Sequence, residues 1–153
     1  MVLLGDDRSL ELTTRREETA MAMGETLVTV TGRVVTAVDR RDVGDGNEMA
    51  GFLVISTERR FDKNVGDWVD GRKFSVWVTC WRRLARNVAA SLAKGDEVIV
   101  SGRLRTREYE DGGKTRYTTE LDAYAVGPNL SRAIVDVRRI RTSEPSAEHA
   151  VAA

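Results

Sequence analysis

Cysteine, histidine and proline are nearly absent from the 153 residues, which hold one cysteine, one histidine and two prolines. A single Cys80 cannot close an internal disulfide, and with His149 it makes a poor metal set. No apolar run approaches the ~18 residues of a membrane helix. The opening MVLLGDDRSLELTTRREE has neither the long apolar stretch nor the small-residue cleavage site of a secretory signal. These absences point to the cytosol. Catalytic sets are missing too. The only histidine lies near the end of the chain, and there is no HExxH and no GxxxxGK[ST] phosphate loop. Asp62, Asp67 and Asp70 cluster in a turn-rich stretch, where acids are ordinarily just solvated. The residues therefore read as those of a non-enzyme that needs no cofactor.

Net charge is zero, from 24 basic and 24 acidic residues. Its distribution is uneven. Residues 1–23 carry three arginines against five carboxylates, and 142–153 carry two carboxylates and no Lys or Arg. Residues 24–141 are left with a surplus of four positive charges. Residues 1–23 show no sustained period and read as a flexible arm, and 140–153, rich in Pro, Ser and Ala, as a disordered tail.

Between these ends the pattern is that of a β protein. Strands are predicted over 26–38 (TLVTVTGRVVTAV), 48–58, 73–81 (KFSVWVTCW), 97–109 (EVIVSGRLRTREY) and 114–126, with a further extended segment over 130–139. Stretches 39–47 and 61–72 read as loops, and Asp111-Gly112-Gly113 as a tight hairpin. The period changes in RRLARNVAASLA, residues 82–93, where Leu84, Val88 and Leu92 recur every four residues beside Ala85 and Ala89. That predicts a three-turn helix, closed by Lys94 and Gly95. Three strands, one helix and two strands within about 110 residues is the order of an OB-fold. This is an all-β, five-stranded Greek-key barrel with a helix between strands three and four. Gly32 and Gly102, inside strands, suit the sharp coiling of a closed barrel.

Alternation in the third strand puts Phe74, Val76, Val78 and Cys80 on a core face, and Ser75, Trp77, Thr79 and Trp81 opposite. Two tryptophans away from the core fit a small second core, a subunit interface, or a platform on which bases stack. In the fourth strand Arg103, Arg105, Arg107 and Tyr109 share a face. Such a row repels itself unless an anion lies along it, and the acids nearest in sequence, Glu108 and Glu110, point the other way. Lys114 and Arg116 across the hairpin extend it into a basic finger, with Tyr117 nearby. Cations interleaved with aromatics suit single-stranded nucleic acid held without base reading. An OB-fold RNA-binding or protein-interaction module is the alternative.

The chain resembles the bacterial single-stranded DNA-binding proteins over about residues 24–139. The segments that carry the resemblance are VTVTGRV, GFLVISTERRFDK, WRRLA, LAKGDEVIVSGRLRTREY and RYTTEL. That family is itself a type example of stacking on a basic groove, so the mode is what the resemblance implies. GDWVDG and NLSRAIVDVRR are similar to its actinobacterial branch, in which a C-terminal strand clamps neighbouring subunits. The resemblance implies a homotetramer that protects single-stranded DNA during replication, recombination or repair. It implies base-stacking at Phe61, Trp81 and Tyr109. A fourth stacking position falls on Ser75, with Trp77 on the same face as its replacement. Phosphate contacts are implied at Arg105 and Arg107, with Arg33, Arg72 and Lys73 beside them. The ending AEHAVAA differs from the family's acidic, Phe-terminated tip, as in a shorter second paralogue, and puts recruitment of partner enzymes in doubt.

Overall fold

β-Branched and alternating residues build six strands that wrap around one apolar interior. In the computed structural model, which describes residues 23–141, they run in the order β1 (Thr26–Val34), β2 (Asp39–Asp42), β3 (Glu48–Asp62), β4 (Asp67–Trp81), α1 (Arg82–Ser91), β5 (Glu97–Asp111) and β6 (Lys114–Pro128). The sheet order is β1-β5-β6-β4-β3-β2, and β1 also pairs with β3 at Arg33↔Ile55 and Val34↔Val54, which closes the barrel. Every pairing is antiparallel except β4 with β6. With α1 between β4 and β5, β1, β3, β4, β5 and β6 form the five-stranded OB barrel. Of the arm assigned to 1–23 and the tail assigned to 140–153, residues 1–22 and 142–153 lie outside the described residues.

Val34, Phe52, Val54, Val76, Val78, Cys80, Val98, Val100 and Leu121 fill the interior, and Ala85 and Val88 of α1 plug its end. Burial, with Asp122 nearby, pushes the Cys80 thiol up to about 12, so it stays protonated. Gly32 and Gly102 sit where strands cross closely. A Cβ on Gly32 would strike the Ile55 carbonyl, and one on Gly102, beside a β-bulge, the Asp122 carbonyl.

Four expectations change. The loop expected over 39–47 contains β2, which pairs with the start of β3. Glu48 holds it there, accepting from Arg40 of β2 at 2.8 Å and from Arg86 of α1 at 3.0 Å. The loop expected over 61–72 is a hairpin instead, because the β3–β4 ladder continues to Asp62↔Asp67 and leaves four residues at its tip. Phe74, expected in the core, is 43% exposed, since β4 there has left the barrel for the hairpin. The extra C-terminal strand expected over 130–139 is not formed within this chain. Among the described residues, 130–141 pair with no strand, and Ile134 and Val137 stand in solvent. Gly95 adopts a positive φ of 101°, three residues beyond the C-cap Leu92, and donates its N–H to the Val34 carbonyl.

Candidate nucleic-acid interface

Strand register sets two lateral rows across the outer face of the barrel. One runs Leu53–Trp77–Glu120–Arg105 and the next Gly51–Thr79–Asp122–Arg103, crossing β3, β4, β6 and β5. Side chains opposite one another in a ladder share a face. The tryptophans of β4 and the arginines of β5, more than twenty residues apart in sequence, therefore meet on one surface.

A groove of about 620 Å3 opens on this surface, lined by Leu53, Ser75, Trp77, Arg107, Tyr109, Tyr117, Thr118, Thr119 and Glu120. Trp77 lies flat enough over β3 that a Cβ on Gly51 would come within 2.6 Å of its ring. Glycine at that position is what lets the indole settle. Tyr109 stands opposite Arg116 on the β5–β6 hairpin.

The arginine row is not bare. Glu120, only 4% exposed, accepts from both Arg105 and Arg107 at 3.3 Å. Arg103 divides its guanidinium between Asp122 at 3.1 Å and Glu25 at 2.6 Å. Bonding to Asp122 first and Glu25 second raises its pKa above the ordinary arginine value. The expectation that these cations need an external anion to avoid mutual repulsion is thus corrected. Their partners lie on β6 and just before β1, 13 to 78 residues away in sequence. Arg105 and Arg107 stay about half exposed, and an ion pair at such a surface contributes ~0–1 kcal/mol. A guanidinium has five N–H donors, so each can hold Glu120 and still offer donors outward.

The remaining expected residues are spread around this groove. Trp81, 40% exposed, lies two rows from Trp77, opposite Met49, and donates its Nε1–H to Asp122 at 3.1 Å. Lys114 and Arg116 flank the β5–β6 turn; Arg116 pairs with Asp111 at 3.1 Å, and Lys114 has no carboxylate partner among the described residues. Arg33 and Lys73 line a second cleft of about 640 Å3 with Arg59 and Arg132, where Arg33 pairs with Glu97 at 3.0 Å. Arg72, 92% exposed, reaches Glu58 only at 3.8 Å. Phe61 is at the β3–β4 tip, in edge-to-face contact with Trp68. Glu120, Asp122, Gly51 and Trp68 were not anticipated as site residues. Glu120 lies in the RYTTEL run and Asp122 directly follows it, but their partners appear only through strand register. Among the described residues no group of His, Cys, Asp or Glu is placed to hold a metal, and no helix is long and apolar enough to cross a membrane.

The model of the single-strand binding protein family matches residues 26–128, from the start of β1 to the end of β6. The chain belongs to the single-strand binding protein family. Among its relatives in this family is a single-stranded DNA-binding protein of Corynebacterium glutamicum, 42% identical over 120 residues. That match covers 78% of this chain and 53% of the relative. The single-stranded DNA-binding protein 2 of Streptomyces coelicolor is 42% identical over 76% of this chain and 59% of its own. The chain thus spans little more than half the length of these two family members. The small single-stranded DNA-binding protein of Streptomyces coelicolor has a similar solved structure, with a TM-score of 0.66 and 35% identity over 72% of this chain and all of that one. The second single-stranded DNA-binding protein of Mycobacterium smegmatis gives 0.61 and 41% over 75% of this chain and 99% of its own.

Proposed function

We propose that this protein binds and protects single-stranded DNA without reading its sequence; its relatives are named as single-stranded DNA-binding proteins. The observation that carries this is the groove that gathers Trp77, Tyr109 and Arg107, with Arg105 at its border. Aromatic faces there take exposed bases while guanidinium donors take phosphates. Base stacking is worth ~1–3 kcal/mol per base and tolerates any base, because every base has a π-face. A duplex hides those faces, so the preference for single strands follows from stacking alone. Arg33, Lys73, Arg72, Lys114, Arg116 and Arg103 form the surrounding field. Of these, Arg103 is the most committed to internal carboxylates and serves mainly to hold β1, β5 and β6 in register.

Tryptophan fluorescence tests the reading. Titration with poly-dT quenches the indoles, and affinity falls with salt by a log–log slope of about −0.7 per phosphate contact. Trp81→Ala and Tyr109→Ala each weaken binding by ~1–3 kcal/mol with folding intact. Arg105→Ala flattens the salt slope by about one contact. Absence of quenching, or normal binding by both aromatic variants, overturns the stacking surface. Competition with a single-stranded RNA of the same length separates a DNA from an RNA preference.

The working unit we propose is a homotetramer. Beyond family membership, two features support self-association. Among the described residues, the edge of β1 over Thr26–Gly32 that faces away from β5 has no strand beside it, and open edges invite pairing. The segment after β6 exposes Leu130, Ile134, Val137 and Ile140, and is the segment whose resemblance implies a clamp on neighbouring subunits.

A further inference from the structure

Trp68, in the GDWVDG run, belongs to no stacking position carried over from the family resemblance, yet it stands 56% exposed at the β3–β4 tip. Phe61, directly across the ladder and 50% exposed, meets it with ring centroids 5.8 Å apart and planes at 73°. Two large aromatics half in water at the end of a projecting hairpin are unfavourable there unless something covers them.

Their orientation comes from a β-bulge. From Thr57↔Lys73 to Arg59↔Asp70, β3 advances two residues while β4 uses three. Gly71 and Arg72 are the doubled pair, both against Glu58: a Cβ on Gly71 would lie 3.3 Å from the Glu58 Cβ. A bulge of this kind shifts the alternation of the strand that carries it. Strict alternation from Ser75 and Trp77 would turn Trp68 to the opposite side, with Phe74 and Val76. The extra residue instead brings Trp68 onto the face of Phe61, Lys73, Ser75 and Trp77. One surface of the β3–β4 ladder thus carries aromatics at both ends. They are nine residues apart, or about 30 Å at ~3.4 Å per residue. Between them Lys73 has no carboxylate partner among the described residues. Arg59 does not compete for the notch, since it is pinned to Asp70 at 2.6 Å and to the Trp68 carbonyl at 3.3 Å. An edge-to-face pair forms an L-shaped notch, one ring offering its face and the other its edge. A nucleobase fits such a notch as a third ring.

We propose that Trp68 adds a second ring to the stacking position the resemblance implies at Phe61, so that the two form a nucleobase-binding notch at the β3–β4 tip and a bound strand runs to it from the Trp77–Tyr109 groove along the ladder, past Lys73. This inference rests on the reading that the protein binds single-stranded DNA, and the experiment separates the two. The full chain is labelled with 5-fluorotryptophan, and the 19F signals of its three tryptophans are assigned with Trp68→Phe, Trp77→Phe and Trp81→Phe. A dT oligonucleotide of about 16 nucleotides, the upper span of one OB barrel, is then titrated in. The expected result is a saturable shift of the Trp68 signal, and about tenfold weaker binding by Trp68→Ala with partial recovery in Trp68→Phe. If the Trp77 and Trp81 signals move while Trp68 stays still, or if Trp68→Ala binds as tightly as the parent, the notch is refuted and the groove reading stands. If none of the three moves, the binding reading itself fails. A Trp68 signal that shifts on dilution without DNA makes the tip a contact between copies, and also refutes the notch.

Discussion

Glu120 holds the most consequential single position on the proposed binding face. It is buried, sits at the centre of the Trp77–Glu120–Arg105 row, and accepts from Arg107 in the groove and Arg105 at its border. Its carboxylate both aims those guanidinium groups and cancels part of their field where a phosphate would approach. Glu120→Gln keeps an acceptor and removes the charge. The expected outcome is tighter poly-dT binding, with a salt slope steeper by up to about one contact; binding and slope unchanged from the parent would detach Arg105 and Arg107 from the phosphates. Arg105, Arg107, Trp77 and Tyr109 were all legible from alternation in the sequence. Glu120 was not, because alternation along one strand says nothing about which residue of another strand lies beside it.

Among the elements, the short β2 depends on Glu48, which ties it to α1 through Arg40 and Arg86. The hydrogen bond from Arg86 is the largest cause, with the charges of Arg40 and Arg86 adding to it and burial opposing. The Glu48 carboxyl is held below the usual carboxylate range. A depressed folded-state pKa stabilises above the unfolded value and loses that stabilisation as pH falls through the folded one. The Tm difference between the parent and Glu48→Gln is therefore expected to be largest near neutral pH and to shrink once pH drops below the ordinary glutamate value of ~4.3. A difference constant across that range would show that Glu48 does not act through its charge. The β3–β4 hairpin teaches a related lesson about reading elements. Asn64, Gly66, Asp67 and Gly71 suggest a loop, yet cross-strand pairing overrides them everywhere but the four-residue tip. The bulge opposite Glu58 then re-aims Trp68, a change of face that no regular period could reveal.

For the molecule entire, zero net charge first looks unsuited to a polyanion. The ion pairs explain how it is compatible: Arg33, Arg40, Arg59, Arg86, Arg103, Arg105 and Arg107 each have a carboxylate partner. The proposed binding then depends on local fields and stacking rather than on a bulk positive charge. The open edge of β1 and the exposed apolar residues after β6 leave unfinished surface on the single chain. Light scattering is expected to give the mass of four chains, and a variant ending at Pro128 to assemble less completely; a full-length monomer would contradict the tetramer.

Local pattern sufficed for the order of the five barrel strands and the helix, for Val76, Val78 and Cys80 as the inward face of β4, and for Trp77, Arg107 and Tyr109 of the groove. These are properties of period and side-chain chemistry, which a linear string records. Closure of β1 onto β3, the buried carboxylates behind the arginines, the glycine under Trp77 and the face taken by Trp68 come from register between strands distant in sequence. Register is decided by the whole barrel closing around its apolar interior, where a slip of one residue would turn a strand's core side chains out to water.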